Sequence, residues 1–154
     1  MAFVALLDAN ALYAAYLRDA LLRLAEAEVY QVRWSRQILD EMSRNVLENN
    51  PDLPRENMER LMKTMERAFP EAMVTGYEPL IPSMTNDPKD RHVLAAAVRG
   101  RADVLVTSNV RDFPPGASEP YDVDVQTPDE FLSYQWEIGG PDYLSAFWRI
   151  GLRS

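Results

Sequence analysis

Phe3-Val4-Ala5-Leu6-Leu7 is an uninterrupted apolar run that stops abruptly at Asp8. A strand with one face in water alternates apolar and polar residues, whereas a short unbroken run describes a strand buried on both faces, the habit of parallel sheets. Ala102-Asp103-Val104-Leu105-Val106-Thr107 reads as a second strand, apolar over Val104-Leu105-Val106, and delivers Ser108-Asn109 and then Asp112-Phe113 at its end. Parallel strands need long crossovers, so the chain between them should be helical. Strands alternating with helices predict an α/β domain with a mainly parallel central sheet flanked by helices, and ligands in such sheets bind beyond the strand C-termini.

The stretches between these strands supply the helices. Leu12, Tyr16, Leu21, Leu24 and Ala25 keep helical spacing from Asn10 to Ala27, with room for one break, and Val29 to Val32 alternates as a strand. Ser35 caps a helix whose inward stripe is Ile38, Met42 and Val46, with Glu41 on its edge; Asn49-Asn50-Pro51 stops it. Pro54 opens another helix, with Met58, Leu61, Met62, Met65 and Phe69 as its stripe. Ala72 to Pro82, interrupted by Gly76, Pro79 and Pro82, reads as a strand entering a loop. Asp87 is the expected N-cap of the next helix, with Pro88 at its first position and Asp90 three residues after the cap; Gly100 ends it. Tyr121 to Val125 reads as an edge strand, and Thr127-Pro128-Asp129-Glu130 as a capping box opening a last helix, stopped by Gly139-Gly140-Pro141.

Composition narrows the chemistry. With 47% apolar residues the 154-residue chain can bury one core, and no apolar run approaches the ~20 residues needed to span a bilayer. The start lacks a basic leader region, so it reads as a strand and not as a signal peptide, and a cytoplasmic location is expected. With no Cys and a single His92, any metal must be held by oxygen, which favours Mg²⁺ or Mn²⁺. A net charge of −8 argues against broad phosphate neutralisation while leaving room for local basic contacts.

Asp8, Glu41, Asp90 and Asp112 come from four separate stretches, each at a strand end, a helix start or a cleft-facing helix edge. Two carboxylates about 4 Å apart repel by about 4 kcal/mol at an effective dielectric of 20, so such a set calls for a cation. A hard cation held by acids suits phosphodiester hydrolysis. The residues that carry this chemistry also carry a likeness. Leu7-Asp8-Ala9-Asn10-Ala11-Leu12-Tyr13, Ser35 to Glu41, Asp87-Pro88-Lys89-Asp90-Arg91-His92-Val93-Leu94-Ala95-Ala96-Ala97 and Val104 to Pro114 together resemble a PIN-domain ribonuclease of the VapC type, the toxin half of toxin–antitoxin pairs.

The resemblance covers residues 1–132 and implies a three-layer PIN-like α/β fold, with 133–154 a C-terminal helical aromatic tail belonging to the same domain or to an interface. It implies a Mg²⁺- or Mn²⁺-dependent endoribonuclease with Asp8, Glu41, Asp90 and Asp112 as catalytic metal ligands, Asp8 and Asp90 innermost. Asn109 stands where many relatives carry another Asp; Asn keeps an oxygen ligand but drops a charge, which argues against a tightly held second metal. Thr107 or Ser108 would fix a phosphate or a water, Asn10 would support the site, and Arg91 and Arg111 would touch RNA phosphate. His92 is weighed as a general acid against a packed helical residue. The resemblance further implies a homodimer and a cognate antitoxin partner, for which Trp136, Tyr143, Leu144, Phe147 and Trp148 are candidate contacts alongside a role in the domain's own core. Two alternatives stand beside it. One is a haloacid-dehalogenase-like phosphatase, echoed by Asp8-Ala9-Asn10 and Thr107-Ser108 although its second acid is replaced by Asn10, and the other is an inactive PIN-like docking module.

Overall fold

The computed structural model describes residues 3–139, with side chains described to Gln135. The candidate aromatic contacts from Trp136 onwards, and the whole of 140–154, lie outside that range. Four strands, β1 (Val4–Leu7), β2 (Gln31–Arg33), β3 (Val104–Val106) and β4 (Asp124–Gln126), form one sheet in the order β2-β1-β3-β4. Every pairing is parallel: Ala5 lies opposite Val32 on one side and Val104 on the other, and Leu105 lies opposite Val125. The two apolar runs thus become the central pair, with Ala5, Leu6, Leu7, Val104, Leu105 and Val106 fully buried.

Helices cover the sheet. The first crossover holds α1 (Ala9–Tyr13) and α2 (Ala15–Glu26), the second α3 (Arg36–Asn49), α4 (Arg55–Ala68) and α5 (Arg91–Arg99). A short α6 (Pro115–Ser118) precedes β4, and α7 (Pro128–Gly139) follows it. The chain runs from β1 to the neighbour on one side, then crosses back to β3 on the other, so the strand order reverses between β1 and β3. In open sheets of this kind such a reversal marks where ligands bind, beyond the carboxyl ends of the two strands.

Local chemistry sets the boundaries. Ser35 accepts from the Ile38 amide at 3.1 Å and starts α3, burying Ile38, Met42 and Val46. Thr127 and Glu130 form a reciprocal capping box, with Glu130 N–H on Thr127 Oγ1 at 3.1 Å. Gly100 ends α5 at ordinary φ, so its reason is space: a Cβ there would meet Val74 Cγ2 at 2.8 Å and the Ala96 carbonyl at 3.1 Å.

Several boundaries differ from the sequence expectation. The helix expected over 10–27 is two helices, because Ala14 adopts an extended conformation at their junction. The strand expected over 29–32 lies at Gln31–Arg33, and that over 121–125 at Asp124–Gln126, where it occupies the sheet edge. Ala72 to Pro82 holds no strand: Trp34 and Met73 make one isolated parallel bridge, and Glu78–Ser83 winds as 3-10 turns. The expected helix start at Asp87-Pro88 is a single 3-10 turn, Pro88–Asp90, with α5 proper beginning at Arg91. Pro at the first position and a capping Asp satisfy either winding equally, so the sequence signal could not separate them.

Candidate active site

Asp8 ends β1 and begins α1. Its amide still extends the sheet ladder to the Val106 carbonyl at 3.0 Å, while its side chain, 1% exposed, caps α1 by accepting from Ala9 N–H at 2.7 Å. The second carboxylate oxygen accepts from Thr107 Oγ1 at 2.9 Å and Asn10 Nδ2 at 3.2 Å. Thr107 Oγ1 in turn accepts from the Asn109 amide at 3.1 Å, and Asn10 Oδ1 accepts from the Ser108 amide at 2.8 Å. Four of the residues singled out as supports therefore weave the ends of β1 and β3 together. Asn10 and Thr107 act through side chains, Ser108 and Asn109 through their amides.

Asp90 closes the 3-10 turn ahead of α5 and is 6% exposed. Its Oδ2 is buried with no hydrogen-bond partner, an arrangement that carries a free-energy cost unless something outside the protein answers it. Burial pushes the Asp90 carboxyl well above the usual carboxylate range, and the charge of Asp8 and the adjoining Asp112 push it the same way. Asp8 is raised to about 6, chiefly by burial and further by the charge of Glu41, against the stabilising bonds from Ala9, Thr107 and Asn10. The four acids expected from the sequence are thus electrostatic neighbours: Asp8 feels Glu41, and Asp90 feels Asp8 and Asp112. Glu41 and Asp112 are half-buried at the margin.

Among the described residues no three acidic or histidine side chains converge closely enough to hold a metal ion as they stand. The donor set fits Mg²⁺ or Mn²⁺ nonetheless, because Mg²⁺ keeps most of its water and takes only one or two carboxylates. The orphaned Asp90 oxygen, beside a second raised carboxyl, is where such a cation is wanted.

The remaining candidates differ in their engagement. Arg91 is half-buried and its Nε donates to the Asn86 carbonyl at 2.9 Å, whereas Arg111 is exposed. His92 is buried within α5, its Nδ1 lacks a hydrogen-bond partner, and burial lowers its pKa. Two residues were not singled out from the sequence. Asn86, buried, donates from Nδ2 to the Asp90 carbonyl at 3.0 Å and so braces the turn that carries Asp90. Lys89 places its Nζ 3.5 Å from Asp112 Oδ2. A turn-forming Asn and a lysine among acids are commonplace in sequence, and only the fold shows where they point.

A sequence model of the family described as PIN domain matches residues 4–111, a span that includes Asp8, Glu41, Asp90 and the ends of β1 and β3. The chain belongs to the PIN domain family. A curated relative, "Putative ribonuclease VapC50" of Mycobacterium tuberculosis (strain ATCC 25618 / H37Rv), is 51% identical over 67 residues, covering 44% of this chain and 40% of the relative. The match therefore spans less than half the length of that protein. No solved structure matches the chain significantly. The all-parallel four-stranded sheet flanked by helices is the PIN-like α/β fold expected. No helix among the described residues is long and apolar enough to cross a membrane.

Proposed function

We propose that this PIN-domain chain is a Mg²⁺- or Mn²⁺-dependent endoribonuclease, the toxin of a type II toxin–antitoxin pair acting in the cytoplasm. The observation that carries the reading is the pair Asp8 and Asp90, from well-separated stretches of the sequence, both raised, with one Asp90 oxygen unanswered. Acids are rarely buried together without a cation to balance them. The partly matched VapC relative, whose name describes a ribonuclease, supports the substrate class.

In this reading Asp8 and Asp90 hold the cation directly, with Glu41 and Asp112 at its margin. Bound there, a divalent cation supplies Lewis-acid polarisation of the phosphodiester and charge for the leaving oxygen. The protein's own contribution is placement. Thr107 and Asn10 fix the Asp8 carboxylate in one orientation, so no reorganisation is needed when substrate arrives. Glu41 or Asp112, partly open to solvent, orients the attacking water and accepts its proton. Arg111, exposed on the loop carrying Asp112, is placed to meet RNA phosphate. A cognate antitoxin, a homodimer, and a division into a nuclease unit over 1–132 and a tail over 133–154 belong to the same proposal; α7 runs across that division.

The test is incubation of purified protein with total RNA and Mn²⁺ or Mg²⁺, with and without EDTA. Cleavage should need the metal, fall by at least about a hundredfold in Asp8→Asn and Asp90→Asn, and persist in His92→Ala. Metal should also raise the melting temperature of the parent and not of Asp90→Asn. A docking module without activity is the second reading, favoured by the lack of a closed three-acid cluster among the described residues. A metal-dependent thermal shift with no cleavage of any RNA would select it.

A further inference from the structure

Lys89 has a place in this site that the acids alone do not explain. It stands on the 3-10 turn between Asp87, whose side chain accepts from the Lys89 amide at 3.1 Å, and Asp90. Its ammonium reaches across to the loop after β3, 3.5 Å from Asp112 Oδ2, while the Lys89 side chain stays 67% exposed and that of Asp112 20% exposed. Among the described residues it is the one cation in an ion pair with any of the four acids. The Asp112 oxygen it holds belongs to the acid set that a divalent cation would enter. An exposed lysine on a flexible stem is a weak and reversible holder of such a carboxylate.

We propose that Lys89 is a phosphate-binding residue of this site, an ammonium that pairs with Asp112 and would turn to an RNA backbone phosphate when a divalent cation takes up that carboxylate. This rests on the ribonuclease reading above. Asp112 and the other acids, in holding a divalent cation, would release Lys89, because the cation's charge would offset the negative field that keeps the lysine there. The freed ammonium then lies at the mouth of the site, where a chain of net charge −8 has most need of a positive group to receive RNA. Arg91 is less free for this task because its Nε is bonded to the Asn86 carbonyl.

The proposal makes two effects of one substitution run in opposite directions. Lys89→Ala should bind Mn²⁺ more tightly than the parent in the absence of RNA, by up to about thirtyfold, the effect of one unit charge on a divalent cation about 4 Å away in a water-like dielectric. The same variant should bind a labelled single-stranded oligoribonucleotide more weakly in Ca²⁺, with the RNA verified intact. Its slope of log affinity against log salt should be shallower by about 0.7, the loss of one phosphate contact on a single strand. Lys89→Arg should restore both the RNA affinity and the slope. A merely structural lysine would lower both affinities together, and that result overturns the proposal, as does an unchanged salt slope. If the parent cuts RNA but Lys89→Ala binds it equally well, only the Lys89 assignment fails. A parent that neither binds nor cuts RNA removes the ribonuclease reading and this one with it.

Discussion

Asp8 is an acid whose folded environment works against its charge. The unfolded side chain titrates near 3.8, the folded one near about 6, so between those values the native state holds the proton more tightly than the unfolded chain does. The sign is therefore opposite to that of an ion-paired carboxylate: this contribution to stability is intact below about pH 4 and is lost as pH rises through about 6, with Asp90 acting in the same direction. At 1.36 kcal/mol per unit, full ionisation of Asp8 costs up to about 3 kcal/mol. Urea denaturation in EDTA should show Asp8→Asn gaining on the parent as pH rises from 4.5 to 7.5. A constant difference between the two across that range would show that the Asp8 carboxyl is not strained when charged. The residue scale is also where the sequence was least complete. Asp8, Glu41, Asp90 and Asp112 stood out as candidates in the sequence because acids at the ends of buried strands and at helix starts have few structural uses, and the structure makes them electrostatic neighbours. Asn86 and Lys89 did not stand out, since their roles depend on which carbonyl and which carboxylate the turn brings within reach.

At the scale of elements, periodicity and caps read well where the element is regular. The runs at β1 and β3, the Ser35 cap and the Thr127/Glu130 box needed only side-chain chemistry available within a few residues. The misreadings fell on irregular backbone. Ala72 to Pro82 has strand-like residues but finds only Trp34 to pair with, so tertiary context and not local preference decides its shape. The close approach of α5 to that segment offers a test of how tightly it is held. Gly100→Ala should destabilise the fold by about 1–3 kcal/mol through overpacking against Val74. Adding Val74→Ala should recover part of that loss, as read by urea midpoints. Equal stability of Gly100→Ala and the parent would mean that the segment around Val74 yields freely.

Across the whole molecule, the sheet order itself was beyond the sequence, because β1 could have been flanked by either neighbour until the crossover direction was known. One consequence is that the last described helix closes on the first strand. Phe131 of α7 is fully buried, stacked on Phe3 with ring centroids 6.4 Å apart and edge-on to Tyr30 at 4.9 Å. Phe131→Ala should cost about 3–5 kcal/mol of global stability. If instead only α7 frays, with hydrogen exchange in β1 and β2 unchanged, the helix is an appendage and not part of the core.

The bond from Thr107 to Asp8 joins residues 99 positions apart, and the strand they anchor pairs further with β4. During synthesis at roughly 5–20 residues per second, Asp8 leaves the ribosome many seconds before the partner that orients it. Until β3 emerges, the nascent chain carries its first acid with no Thr107 to aim it. A nuclease built on this plan would have its acid set assembled only once most of the described fold has been synthesised. Non-local pairing of this kind also makes refolding slow relative to a helical bundle of equal length. For a protein proposed to be held in check by a partner, that delay is an interval in which the partner can arrive first.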